Sequence, residues 1–190
     1  MAPREKGVSN TNKNTMYILV AALVIIIVIV GVGAYVFLGG GGVTPPSDGN
    51  GGETVYTMGN ATSLQFSVNL TTSGGSTGIY KFAGKNLGTA NITLRVDATP
   101  EVSVDTTYSY IMFASNQTSW NNETGTWAVG NFTQDWGISW SPLWSGYIAH
   151  NSDWKTGDVD ITYTDDQGNS VVIYNIVINP TLDDSVFSPM

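Results

Sequence analysis

An unbroken apolar run, Met16 to Leu38 (MYILVAALVIIIVIVGVGAYVFL), constrains this chain more than any other feature. It has 23 residues and no charge. At about 1.5 Å rise per residue it extends roughly 34 Å, enough to cross a hydrocarbon core. The reading is a transmembrane helix over 16–38. A cleaved signal peptide would have a shorter apolar core, about 7–15 residues, and a small-residue cleavage site. This run is longer and ends YVFLGGGG. Arg4, Lys6 and Lys13 precede the span, and the first basic residue after it is Lys81. The positive-inside rule therefore puts residues 1–15 in the cytoplasm and the C-terminal bulk outside a cell membrane, a single-pass signal anchor whose partner is the bilayer. No Gly-x-x-x-Gly occurs within the span, so helix dimerisation has no specific support.

Residues 39–53, GGGGVTPPSDGNGGE, have too little apolar surface to fold and read as a flexible tether with a reach of about 20 Å. The remaining residues, 54–190, are room for one domain. Cysteine is absent and His150 is the only histidine, which excludes disulfides, thiolate metal sites and any Cys-His or paired-His chemistry. After the apolar run, four basic residues face fourteen acidic ones. Such an acidic, Lys-poor surface repels phosphate backbones and argues against nucleic acid as a partner.

Past the tether the hydrophobic period becomes two. Leu64, Phe66, Val68 and Leu70 alternate with polar residues, as do Ile92, Leu94 and Val96 against Asn91, Thr93, Arg95 and Asp97. Each reads as a strand with one buried face. Val159, Ile161 and Tyr163 alternate with aspartates and threonines, and Val171–Ile178 is apolar on both faces except Asn175, as a central strand would be. DDQGN between these two predicts a hairpin. Further strands are expected at Gly78–Phe82, Thr107–Ala114 and Thr126–Val129, about seven in all and mostly antiparallel.

Phe132 to Trp154 breaks the pattern. Phe132, Trp136, Trp140, Leu143, Trp144, Tyr147 and Ile148 recur at helical spacing, although period two also fits part of the run. The expectation is helix in two pieces, the second opened by Ser141 as N-cap with Pro142 at the first helical position and running to about His150. The ectodomain is thus read as α+β: a mainly antiparallel, curved sheet with a short aromatic-rich helical insert, with a β-sandwich as the alternative. All six tryptophans fall between Trp120 and Trp154. Ordinary core filling is the simpler account of them. Trp136, Trp140, Trp144 and Tyr147 are nevertheless the candidate lining of a site for an apolar ligand, a lipid or a sugar.

Asn-x-Thr triplets begin at Asn60, Asn69, Asn91, Asn116, Asn122 and Asn131, none with proline between, and mark candidate N-glycosylation sites. Asn69 and Asn91 fall on the polar sides of their predicted strands. Catalytic chemistry has no comparable signal. Asp158 and Asp160 share a strand face and read as solvated carboxylates. Asp165 and Asp166 lack the alternating ligand spacing of a calcium loop and read as turn residues. His150 stands at the end of the second helix, where a cation meets the negative helix terminus. No metal, cofactor or catalytic residue is expected, and the chain is read as a non-enzyme.

The order of the second half, strands, aromatic helical insert, the hairpin GDVDITYTDDQGNSVVIYNIVI and the closing NPTLDDSVFSP, resembles the last part of periplasmic lipoprotein-carrier folds. In that family a curved antiparallel sheet wraps apolar helices and binds acyl chains. The basic start, Ile/Val-rich anchor and sequon-rich domain together resemble membrane-anchored surface proteins of archaea. Lys6-Gly7-Val8-Ser9 is similar to a type IV prepilin processing site, but VSNTNKNT separates it from the apolar run, where a pilin helix starts almost at once. The reading that follows is a glycosylated, non-enzymatic cell-surface protein interacting with an envelope protein, lipid or glycan. The alternatives are a tethered carrier of an apolar ligand, lipid or sugar, and a pilin-like filament subunit.

Overall fold

The computed structural model describes residues 55–100 and 106–189. The expected cytoplasmic tail, transmembrane span and tether (1–15, 16–38 and 39–53) lie outside the described residues. Among those described, no helix is long and apolar enough to cross a membrane.

Eight strands form one antiparallel sheet: β1 (Ser63–Thr71), β2 (Thr77–Lys85), β3 (Thr93–Pro100), β4 (Tyr108–Phe113), β5 (Thr118–Asn121), β6 (Ala128–Val129), β7 (Ile161–Thr164) and β8 (Ser170–Ile178). The order is β6-β5-β4-β3-β2-β1-β8-β7, an open sheet with β6 and β7 at its edges. The fold is α+β, and one sheet rather than the two of a sandwich. The first six strands are a meander because each connection is short. The β7–β8 hairpin returns from the helical insert and adds β8 to the free edge of β1.

Period-two patterning sets the register. Phe66 pairs with Phe82, which pairs with Val96, which pairs with Tyr110. A second row runs from Leu64 through Gly84 and Leu94 to Met112. Directly opposite residues share a face, so these rows make one apolar surface. The helical insert covers it. Thr133–Trp140 is a π-helix that continues into α1 (Ser141–His150) without a break. The expected division at Ser141 is therefore a change of helix type. The N-cap of α1 is the helical Trp140 and not Ser141, and the Ser141 amide still bonds back to Trp136 O. A proline ring clashes with the carbonyl four residues earlier, and the wider i→i+5 turn before Pro142 relieves that crowding.

Several boundaries differ from the sequence reading. β3 begins at Thr93, so Asn91 lies in the β2–β3 connection instead of on a strand face. There Asn86 turns the chain with φ 58 and donates to Asn91 O. β7 begins at Ile161, leaving Asp158 and Asp160 outside it and Val159 83% exposed. The cause is local: Asp158 Oδ2 accepts the Lys155 amide and Trp154 Nε1 donates to Val159 O, closing a loop where the alternation suggested a strand. β5 was not foreseen. In β8 the polar interruption at Asn175 is a bulge: its φ is 52, and the pairing slips between Gln65↔Val177 and Ser67↔Tyr174.

The opposite face of the sheet has a smaller core. Ala83, Ile111 and Phe187 are buried there, with Phe113, Trp120, Trp127, Leu182 and Val186 packed around them. Phe187 ends a 3-10 turn (Asp184–Phe187) whose N-cap, Asp183, accepts the Ser185 amide. The C-terminal segment is thereby a strap across β2 to β5.

Candidate functional site

The aromatic candidates meet on the covered face. Trp140, Trp144 and Tyr147 are buried, whereas Trp136 is half-buried at the rim. The Trp144 ring stacks on Phe66 at 5.2 Å and 23°. Trp140 packs at 4.9 Å from Tyr110, and Tyr147 meets Phe82 nearly edge-on at 5.8 Å. Glycine makes room for this contact: a Cβ at Gly84 would stand 2.8 Å from the Trp144 ring. Each buried aromatic contributes roughly 1.5–3 kcal/mol by leaving water, and each ring pair adds about 0.5–1.5 kcal/mol. The sequence candidates thus converge, but on one another and on the sheet. Trp136 differs, stacking on Phe132 at 5.8 Å and 12° beside the exposed Ile138. Burial raises the hydroxyl pKa values of Tyr80, Tyr110 and Tyr147, so all three stay neutral.

A polar knot closes the β5 end of this core. Tyr110 donates to Glu123 Oε1 at 2.7 Å. The buried Asp135 on the π-helix approaches Ser119 and Asn121 of β5 across Gly130, where a Cβ would be 2.3 Å from Asp135 Oδ2 and 2.6 Å from Ser119 Oγ. Burial raises the Asp135 pKa. Ser119 and Asn121 work against that rise by favouring the charged form, and the charge of Glu123 adds to it. Neither neighbour completes a hydrogen bond of full geometry to Oδ2, which is left unpaired, as are Ser119 Oγ and Trp140 Nε1. Sequence reasoning missed this cluster because its members come from β4, β5 and the π-helix. An acid directly before Trp136, within the aromatic helical run, was the one available signal.

Five of the six sequon asparagines, Asn60, Asn69, Asn91, Asn116 and Asn131, are exposed, and Asn122 is half-buried. Asn122 Oδ1 accepts the Ser109 amide at 2.6 Å and helps to fix the end of β4. Asn116 Oδ1 accepts from both the amide and the hydroxyl of Thr118, its own sequon threonine. Asn131 Oδ1 accepts the Gln134 amide at the start of the π-helix. Asn60 accepts the Thr57 amide. Asn69 stands on the uncovered face of β1, opposite Ile79.

No family model matches this chain, and neither the curated proteins nor the solved structures give a match. The reading therefore rests on residues alone. Asp165 Oδ1 accepts the Gln167 and Asn169 amides, and its Oδ2 accepts Asn169 Nδ2, which accounts for the carboxylate as a turn-former. Among the described residues no three acidic or histidine side chains gather as a metal would require. His150 stacks on Tyr163 at 4.1 Å. Burial, helped by the charge of Asp165, pushes the Tyr163 hydroxyl up to about 12.

Proposed function

We propose that this chain is a single-pass, membrane-anchored cell-surface protein, N-glycosylated and non-enzymatic, whose β-rich domain engages an envelope partner from outside the bilayer. One observation carries the reading: five of the six sequon asparagines are turned to solvent while the candidates Trp140, Trp144 and Tyr147 are turned inward. Rings that fill the gap between helix and sheet, down to the contact at Gly84, support a core role for Trp140 and Trp144. What remains for recognition is surface. The uncharged span before the domain supports anchoring, and the basic residues ahead of it support an outward domain.

Two measurements test this. Protease added to intact cells removes residues 54–190 if the domain is outside; survival under conditions that digest a known surface protein refutes the orientation. Peptide mass spectrometry of the chain from its own host finds glycan on Asn69 and Asn91; both sites unmodified refutes the glycoprotein reading even if the orientation holds. The carrier reading has one observation in its favour, the half-exposed Phe132–Trp136 stack at the rim.

A further inference from the structure

Four basic residues belong to the described part of the chain, Lys81, Lys85, Arg95 and Lys155, against ten acidic ones. Three of the four, Lys81, Lys85 and Arg95, lie on neighbouring strands of the face opposite the helix, which the strap partly crosses. In one row Tyr174, Ser67, Lys81 and Asp97 stand side by side across β8, β1, β2 and β3. In the next, Val177, Gln65, Ala83 and Arg95 do the same. The small Ala83 floors a groove of about 290 Å3 with Gln65, Lys81, Arg95, Asp97 and Val186 among its walls.

The cations here are held in different ways. Lys85 pairs with Asp184 and lies over the Phe187 ring, so its task is to fasten the strap. Arg95 is braced on two sides: Nε donates to both oxygens of Asp97 at 3.1 and 3.2 Å, and Nη1 donates to Val186 O at 2.9 Å. That fixes the guanidinium plane and leaves Nη2 without a hydrogen bond among the described residues. Lys81 faces Asp97 across the strands, but that carboxylate is turned to Arg95. The Lys81 ammonium has no ion pair among the described residues. A cation with no ion pair among the described residues, beside a guanidinium fixed in plane with one edge unbonded, presents donors suited to a carboxylate.

We propose that this groove binds an acidic saccharide, with Lys81 and Arg95 taking the sugar carboxylate and Gln65 and Asp97 taking ring hydroxyls. Backbone groups under the groove are spent in the sheet, so a peptide has no strand edge to add to and recognition falls to side chains, Lys81 and Arg95 donating, Asp97 accepting and Gln65 able to do both. The volume lies at the low end of ligand sites, about 300–1,000 Å3, and suits a ligand of one or two rings. The inference deepens the surface-interaction reading by naming the partner's chemistry, and it rests on that reading only for where the ligand is met.

The full chain, produced in a non-glycosylating host so that no Asn69 glycan reaches the groove, is reconstituted in phosphatidylcholine nanodiscs. It is titrated with tetragalacturonate, neutral maltotetraose, tetraglutamate and acetate. Tetragalacturonate alone binds well, and Lys81→Gln weakens it about tenfold at an unchanged melting temperature, the expected loss of one charge-assisted contact. Arg95→Lys, which keeps the charge but loses the fork, weakens it as well. No binding of tetragalacturonate, or equal binding to wild type and Lys81→Gln, overturns the site. Equal binding of maltotetraose, tetraglutamate or acetate overturns the ligand class. Because neither glycan nor cell orientation enters this assay, its failure leaves the surface-protein reading intact, and failure of that reading leaves the binding result standing.

Discussion

At the scale of single residues, Gly84 on the covered face of the sheet shows how closely the interior is filled. Gly84→Ala places a methyl group 2.8 Å from the Trp144 ring, and such overpacking costs about 1–3 kcal/mol. Thermal unfolding of the variant should fall by several degrees, at roughly 3–6 °C per kcal/mol for a domain of this size. Trp144→Ala removes the ring and leaves a cavity, at a cost of about 3–5 kcal/mol, a large part of the stability of a small domain. A drop of only a few degrees, with loss of an apolar probe that the wild type takes up, would instead make Trp144 a ligand-lining residue. Asp135 gives a pH dependence with a definite sign. Burial holds its folded pKa above that of a solvent-exposed aspartate. The unfolded chain therefore ionises first, and stability is lost as pH climbs from that value through the folded pKa. Asp135→Asn cannot ionise. The melting temperature of the variant minus that of the wild type should be more positive at pH 7 than at pH 3, and a difference that is flat or falls with pH would show that the carboxylate is not penalised by burial.

Among the elements, β8 and the C-terminal strap make the sharpest statements. The bulge in β8 places Asn175 at φ 52, a left-handed conformation that asparagine tolerates and a β-branched residue does not. Asn175→Val should cost about 1–2 kcal/mol and Asn175→Gly close to nothing, read by denaturant midpoint. Equal losses in both would mean that the asparagine side chain, and not the backbone, maintains the bulge. The strap has no regular structure beyond one 3-10 turn, yet it buries Phe187 against Ala83 and Ile111 and places the Val186 carbonyl on Arg95. Phe187→Ala should release it. The expected signs are a loss of about 3–5 kcal/mol and new binding of a hydrophobic dye to the bared Ile111 and Trp120. Unchanged dye binding would show that the smaller core persists without its central ring. The strands were legible where one face is buried throughout, as in β1 and β3. They were misread where side-chain-to-backbone bonds close a loop, as at Asp158, or where a strand is too short for its period to register, as in β5.

For the molecule as a whole, the described domain has two distinct faces, and the proposed anchor would hold both near a membrane. The helix-covered face is occupied by rings, and the opposite face, partly crossed by the strap, offers Asn69 and Lys81 to solvent beside a partly covered Arg95. Glycan on Asn69 would therefore crowd the groove. Asn69→Gln in the native host should raise access of tetragalacturonate relative to the glycosylated wild type, measured on purified chain in nanodiscs, and no difference between them would place the Asn69 glycan away from the groove.

Composition and period determined by themselves the uncharged apolar run, the glycine-rich composition of the segment after it, the antiparallel β character, the β7–β8 hairpin and the helical insert beginning near Phe132. These are local properties: a run of apolar residues, a count of glycines, an alternation, a turn-former. Tertiary structure alone decided that six strands run as a meander with β8 joined to β1, that Trp140 and Trp144 face the sheet, and that Asp135 meets Ser119 across a glycine. The same holds for Lys81 and Arg95, which are fourteen positions apart in the chain and become neighbours through the β2–β3 register. The reason is physical. Strand pairing and helix docking are settled by burying one continuous apolar face and satisfying the backbone beneath it, and such a sum over distant residues has no signature in any short window of sequence.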